Sequence, residues 1–267
     1  MDSYFNNKVA WITGASSGIG EALAYALCDA GARLIISGRR LDELERVKQT
    51  CSHSDAVRIL QLDLADAASL GEKAAAAIAC FGHIDIMVHN GGISQRSLVI
   101  ETGMEVHRRM MEVDYFSYVE LTRALLPHFV ERKAGHFVVT SSVMGKIGTP
   151  MRSAYAAAKH ALHGFFDCLR AEVAADNIKV TILTPGYIRT NISLFALTNK
   201  AYGLGKPSEN IENGLPADKA AKQILKAIKR GAFEPYIGKF AGERIAIWVM
   251  RFLPGVYARI APKLVPK

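Results

Sequence analysis

The stretch "KVAWITGASSGIGEAL", residues 8–23, constrains this chain more than any other. An apolar run, a turn carrying three glycines and the start of a helix follow one another without interruption. Gly14, Gly18 and Gly20 permit a tight turn and close backbone approach, and the helix opening there offers unpaired N–H groups. A glycine motif alone is weak evidence. With a strand before it and a helix after it, this one has the context of a dinucleotide-binding turn, lined also by Ser16, Ser17 and Ile19.

The rest of the chain continues that alternation. Strands are expected at 8–13, 33–37, 57–62, 84–90, 136–142 and 179–183, with a weaker one at 235–238. Helices are expected near 18–30, 41–51, 66–81, 103–130, 153–175 and 216–230. Apolar strands separated by helices predict an α/β fold, a Rossmann-like doubly wound parallel sheet of about seven strands with helices on both faces. No repeat or linker divides the chain, so residues 1–240 read as one catalytic domain with a polar substrate loop at 191–215. Residues 241–267 read as an amphipathic basic extension. Half of the 267 residues are hydrophobic, enough for one large core. In such a fold, function belongs at the carboxyl ends of the strands.

Four scattered cysteines without a C-x-x-C fit thiols in a reducing cytosol better than disulfides or zinc, and no metal site is expected. The first strand begins almost at once, so no signal peptide is expected, and no apolar run approaches the ~18 residues of a membrane span. A cytoplasmic protein is expected.

An NAD site usually places an acid at the end of the second strand, where it holds the ribose 2′-OH. Here Gly38 takes that place and Arg39 and Arg40 follow. A carboxylate would repel a 2′-phosphate, whereas a guanidinium forks onto it, so NADP(H) is the expected cofactor. The competing reading is a solvated arginine pair opening a helix. Tyr155 and Lys159, in "SAYAAAKHAL", stand four apart on one face of an expected helix. A phenol titrates near pH ~10, far above a useful acid/base, and a neighbouring cation favours its phenolate. The competing reading is an amphipathic pair that happens to be polar. His160 and His163 read as packed or solvent-facing, Met110 and Met111 as helix core. Met151, Arg152 and Arg96 fit either the cleft or the surface.

With these motifs in order, the chain resembles the short-chain dehydrogenase/reductase family over residues 8 to about 238. "TGASSGIG" looks like its cofactor turn, and "LDLAD" like its adenine segment, with Asp63 and Leu64. "HNGG" takes the place of its N-N-A-G, with Asn90 retained and His89 substituted, and implies cofactor contacts at Asn90 and Gly91. "PGYIRT" looks like the segment that closes on nicotinamide, with Pro185, Gly186, Ile188 and Thr190. The resemblance implies Tyr155 as acid/base, Ser142 as the donor to the substrate oxygen, and Lys159 as ribose ligand and pKa modulator. It also implies hydride transfer between nicotinamide and a carbonyl carbon, and a homodimer or homotetramer paired through the fourth and fifth helices. One position departs. The family's relay asparagine is Asp114, which accepts hydrogen bonds but has lost the amide donors. It is expected either to serve the relay or to cap a local kink.

More than half of the net charge of +8 sits in residues 239–267, which hold six Lys/Arg against Glu243 alone. That distribution argues against a nucleic-acid groove over the domain. Pro254 is expected to split the tail into two short helices, with Arg244, Arg251 and Arg259 opposite Ile245, Trp248, Val249 and Leu253. Packing on the domain, an oligomer contact and a peripheral seat on the inner face of a membrane are the three readings. "VDYFSYVELT" and "SSVMGKIGTP" look most like the family's steroid, retinoid and sphingoid-type branch, so a small lipophilic ketone/alcohol pair is the expected substrate. The alternatives are a 3-ketoacyl-thioester reductase acting on a carrier protein and a non-catalytic nucleotide sensor or scaffold.

Overall fold

The computed structural model describes residues 4–199, 205, 208–239 and 242–264. Residues 200–204, 206 and 207 of the expected substrate loop, and 265–267 of the tail, lie outside the described residues. The strands are β1 (Val9–Thr13), β2 (Arg33–Gly38), β3 (Val57–Gln61), β4 (Ile86–His89), β5 (Gly135–Thr140) and β6 (Ile178–Pro185). Two short pieces follow, β7 (Ile188–Arg189) and β8 (Leu215–Pro216), and then β9 (Tyr236–Ile237). The first helices are α1 (Gly18–Asp29), α2 (Leu41–Thr50), α3 (Ala67–Phe81), α4 (Met104–Met111) and α5 (Ser117–Arg132). After them come α6 (Ser153–Glu172), α7 (Glu209–Glu212), α8 (Ala217–Arg230), α9 (Gly242–Phe252) and α10 (Pro254–Ile260).

Seven strands form one sheet in the order β3-β2-β1-β4-β5-β6-β9, and every pair is parallel. This is the Rossmann-like doubly wound arrangement. The side-chain period of two sorts each strand between two cores. Ala10, Ile12, Leu34, Ile36 and Val88 join Leu23, Leu27, Ile224 and Ile228 of α1 and α8. Val9, Trp11, Ile35, Met87 and Phe137 join Leu70, Leu121, Leu125, Leu162 and Phe166 of α3, α5 and α6. Strand order reverses between β1 and β4, and the crevice there lies beside the glycine turn.

Two features differ from the sequence expectation. The helix expected over 103–130 carries a π turn at Glu112–Phe116 between α4 and α5. There the buried carboxylate of Asp114 accepts a 2.8 Å bond from the Ile93 amide, so one extra residue per turn is held by a contact from a distant loop. The two-residue pair β7–β8 also goes beyond the expected strands, and each piece is too short to leave a periodic signal. The tail does divide at Pro254, which opens α10. Among the described residues, no helix is long and apolar enough to cross a membrane.

Candidate active site

The glycine turn is built by close approach. Gly14 has φ +66°, and a Cβ there would stand 2.4 Å from the Gly91 Cα. A Cβ on Gly20 would stand 2.3 Å from the Gly14 carbonyl oxygen. No side chain fits at either place. Thr13 Oγ1 accepts from the amides of Asn90 and Gly91 at 3.0 and 3.1 Å. Asn90 Nδ2 donates in return to the Thr13 carbonyl at 3.1 Å, locking β4 to the turn. Ser17 precedes α1 without a side-chain cap, leaving that helix's first N–H groups uncapped by its hydroxyl. Together these make the cradle a pyrophosphate requires.

Around the turn, Leu64 is buried and its Cδ1 limits the space over Gly91, while the exposed Asp63 accepts from the Ala65 amide. Arg39 and Arg40 are exposed just past β2, and Arg40 Nη2 donates to Ser16 Oγ at 3.3 Å. Neither arginine is in an ion pair among the described residues. Both therefore remain available to an anion at the end of β2.

The other end of the crevice is dry. Lys159 is only 3% exposed, donates from Nζ to the Thr140 carbonyl at 3.1 Å, and meets Asp114 Oδ2 at 3.1 Å. Its ammonium lies 5.8 Å from the Tyr155 ring centre and 5.4 Å from that of Tyr118. Burial pulls the lysine's pKa down, but the Asp114 carboxylate together with Tyr118 and Tyr155 outweighs it and holds the ammonium above its ordinary range. Burial in turn pushes the Asp114 carboxyl upward against the pull of Lys159 and the Ile93 amide. Tyr155 is half-buried. Ser142 caps the turn Val143–Gly145 by accepting from the Met144 amide at 3.1 Å, and stays partly exposed.

The segment after β6 crosses between the two ends. Pro185 and Ile188 are buried, and a Cβ on Gly18 would touch Thr190 Cγ2 at 3.1 Å, so Thr190 sits against the glycine turn. The tail reaches the same segment. Glu243 of α9 accepts from the Tyr187 amide at 3.3 Å, and Tyr236 leaves no room for a side chain on Gly186.

Sequence reasoning missed Thr13, Tyr118 and Glu243. Tyr118 donates to the Gly91 carbonyl at 2.9 Å and stacks on His89 with ring centres 4.9 Å apart. His89 is fully buried, shares a 2.9 Å hydrogen bond with Thr122, and burial pushes its pKa down to about 3. Arg152 is also buried, its Nη1 donating to Ser94 Oγ at 2.7 Å and to the Gln95 carbonyl at 3.0 Å. His163 is packed against Ser141 at 2.9 Å, and Met110 is core.

This sheet, turn and residue set are those of a dinucleotide-dependent dehydrogenase. A family model described as short chain dehydrogenase matches residues 8–200. A "Dehydrogenase/reductase SDR family protein 7-like" of Anopheles gambiae is 45% identical over 270 residues, covering 99% of this chain and 85% of its own. A short-chain dehydrogenase of Streptomyces avermitilis superposes with TM-score 0.79 at 33% identity, covering 96% of each chain. One from Burkholderia cenocepacia, solved with NADP, gives 0.77 at 25% identity over 96% of this chain and 98% of its own. One from Burkholderia phymatum, solved with NAD, shares the fold with TM-score 0.83 at 21% identity, over 94% of this chain and 95% of its own. The chain belongs to the short-chain dehydrogenase/reductase family and is an oxidoreductase of that family.

Proposed function

We propose that the protein is an NADP(H)-dependent enzyme interconverting a lipophilic ketone and its secondary alcohol. The observation that carries this reading is the buried Lys159–Asp114 pair directly behind a half-buried tyrosine. A half-buried phenol with a fixed cation beside it is arranged to exchange a proton.

The glycine turn, the uncapped start of α1, Asp63, Leu64, Asn90, Gly91 and the 185–190 segment fit a dinucleotide, and Arg39 with Arg40 fits a 2′-phosphate. That group, when bound, supplies the hydride acceptor or donor. The chain's own residues do the rest. Tyr155 gives its phenolic proton to the nascent alkoxide or takes it from the alcohol. Ser142 donates to the same oxygen, and Lys159 holds the ribose and favours the phenolate. Asp114 fixes Lys159 in place.

A greasy substrate is supported by the tail. Its α9 and α10 pack Ala246, Ile247 and Tyr257 onto Val143 and Ile147, just past Ser142. Ile245, Trp248, Phe252 and Leu253 line an open groove of about 540 Å³ on its outer side. That face, set among basic residues, suits a peripheral seat on the inner, anionic leaflet of a membrane. The outward groove between α5 and α6, lined by Leu126, Phe165 and Cys168, suits pairing of two copies as a dimer or tetramer.

The test is NADPH oxidation by the purified protein over ketones of graded chain length, with Tyr155→Phe alongside. Activity should rise with chain length, and the variant should lose about 10²–10⁴-fold in turnover while still binding NADPH. Wild-type turnover in Tyr155→Phe would end the reading.

A further inference from the structure

Arg152 is a buried cation without a carboxylate. It stands immediately before α6, 9% exposed, and its two hydrogen bonds go to neutral acceptors on Ser94 and Gln95. No ion pair among the described residues includes it. A desolvated charge left in that state is costly, and ordinarily it is paired.

Its surroundings point to Tyr155. The tyrosine comes one helical turn later, and it packs on the same small core of Val106, Met110 and Ala154 as Ile93 and Leu197 do. Arg152 bonds the two residues that follow Ile93, and Leu197 is tied to the Ser94 carbonyl at 2.7 Å. Arg152 and Tyr155 therefore stand at the same end of α6, around one small core. Burial pulls the Arg152 pKa down, and Tyr155 is the strongest influence holding it up.

The opposite side of Tyr155 explains why a second cation is needed. Lys159 meets Asp114 at 3.1 Å in a site closed to solvent, so the carboxylate offsets part of the lysine's charge at the phenol. An asparagine at position 114 would leave the lysine's charge whole. The aspartate takes part of it away from the phenolate.

We propose that Arg152 is the positioning charge for Tyr155, supplying the net positive potential that Asp114 removes from Lys159. The inference rests on Tyr155 being the acid/base. In the oxidative direction the Tyr155 phenolate would take the alcohol's hydroxyl proton and become the neutral phenol, while a bound oxidised nicotinamide would supply the hydride acceptor that leaves the ketone. Arg152 stabilises the phenolate before that transfer and touches no reacting atom. The other groups around this pair of side chains are Lys159 of α6, Asp114 of the π turn, Tyr118 of α5, Tyr187 after β6 and Arg96 after β4.

The experiment is the pH profile of kcat for alcohol oxidation, with NADP⁺ binding measured in parallel by calorimetry. Arg152→Gln should move the acid limb up by about one pH unit, roughly a tenfold loss below the limb, with binding retained. Arg152→Lys should keep the limb close to wild type. Asp114→Asn should move it down, and the double variant Arg152→Gln with Asp114→Asn should bring it back. An unmoved limb in Arg152→Gln or in Asp114→Asn overturns the inference, as does a change confined to KM. If Arg152→Gln does not fold, Arg152→Lys and Asp114→Asn decide the matter by the same limb. Full activity in Tyr155→Phe would instead remove the underlying acid/base reading, a separate and distinguishable failure.

Discussion

Lys159 and Arg39 are both cations at the carboxyl ends of parallel strands, yet they are held in opposite ways. Lys159 is 3% exposed and fixed by Thr140 and Asp114, while Arg39 is exposed and outside any ion pair among the described residues. In the dry site Coulomb forces are strong, but each charge depends on its partner. At the wet site each contact is screened and weak, but the side chain is free to meet a ligand. The geometry that chemistry needs is thus buried and over-determined, and the choice between ligands is left to exposed residues.

Breaking the buried pair should give the largest effect. Lys159→Met strands the Asp114 carboxylate in the core, at about 3–5 kcal/mol of stability by urea denaturation. Adding Asp114→Leu should recover part of that loss without restoring activity, because an apolar pair removes the stranded charge but leaves the Ile93 amide without its acceptor. A loss under about 1 kcal/mol in the single variant would show that water reaches the pair.

Acid should expose the same contrast. Burial pushes His89 down to about 3 and His163 down to about 4, whereas an unfolded histidine titrates near ~6.5. Below that value the unfolded chain binds protons that the folded one refuses. Stability is therefore complete above pH ~6.5 and is lost as the pH falls toward the folded values. For His89 alone the loss between pH 6.5 and 5 is about 2 kcal/mol. Urea midpoints of wild type and His89→Asn at pH 7 and pH 5 measure it, and equal pH sensitivity of the two would contradict the assignment.

At the exposed site the expected change is smaller and depends on salt. Through Arg39, kcat/KM should favour NADPH over NADH by roughly tenfold or more at low salt. Arg39→Asp should invert that preference, and added salt should compress it. Equal kcat/KM for the two cofactors in the wild type would mean the arginine pair is only a solvated helix start.

What could be read from the sequence follows the same division. The strands, the glycine turn and the Tyr155–Lys159 pair were legible because short-range periodicity and a tight turn depend on neighbouring residues. The π turn at Asp114 was not, since its anchor is the amide of Ile93, which lies in another loop. Arg152 reads equally as a cleft or a surface residue, and only the placement of Ser94 and Gln95 reveals that it is buried. In the tail, Pro254 announced the break between helices. The packed face did not announce itself. Val249 lies against the domain as one of its apolar side chains, yet Ile245, Trp248 and Leu253 from the same expected stripe face solvent.

That outward stripe carries the smallest expected effect and the most direct test of the exposed region. Ile245, Trp248 and Phe252 are 58%, 62% and 60% exposed, and Arg251 and Arg259 of the same two helices are exposed as well. Anionic lipid would cover the apolar groups and reward the cations, at about 1 kcal/mol for each basic residue near the surface. Deleting the tail would be a poor probe, since Glu243 holds the Tyr187 amide and Tyr257 donates to the Gly148 carbonyl at 2.7 Å. Arg251→Gln touches neither bond. It should lower co-sedimentation with phosphatidylserine liposomes about fivefold at low salt while leaving turnover on a soluble ketone unchanged. Trp248→Ala should add a further loss that salt does not alter, because it removes apolar burial and no charge. If the wild-type protein ignores such liposomes at low salt, the outer face does not seat on lipid, and a change of oligomeric state in Trp248→Ala would identify it as a contact between subunits.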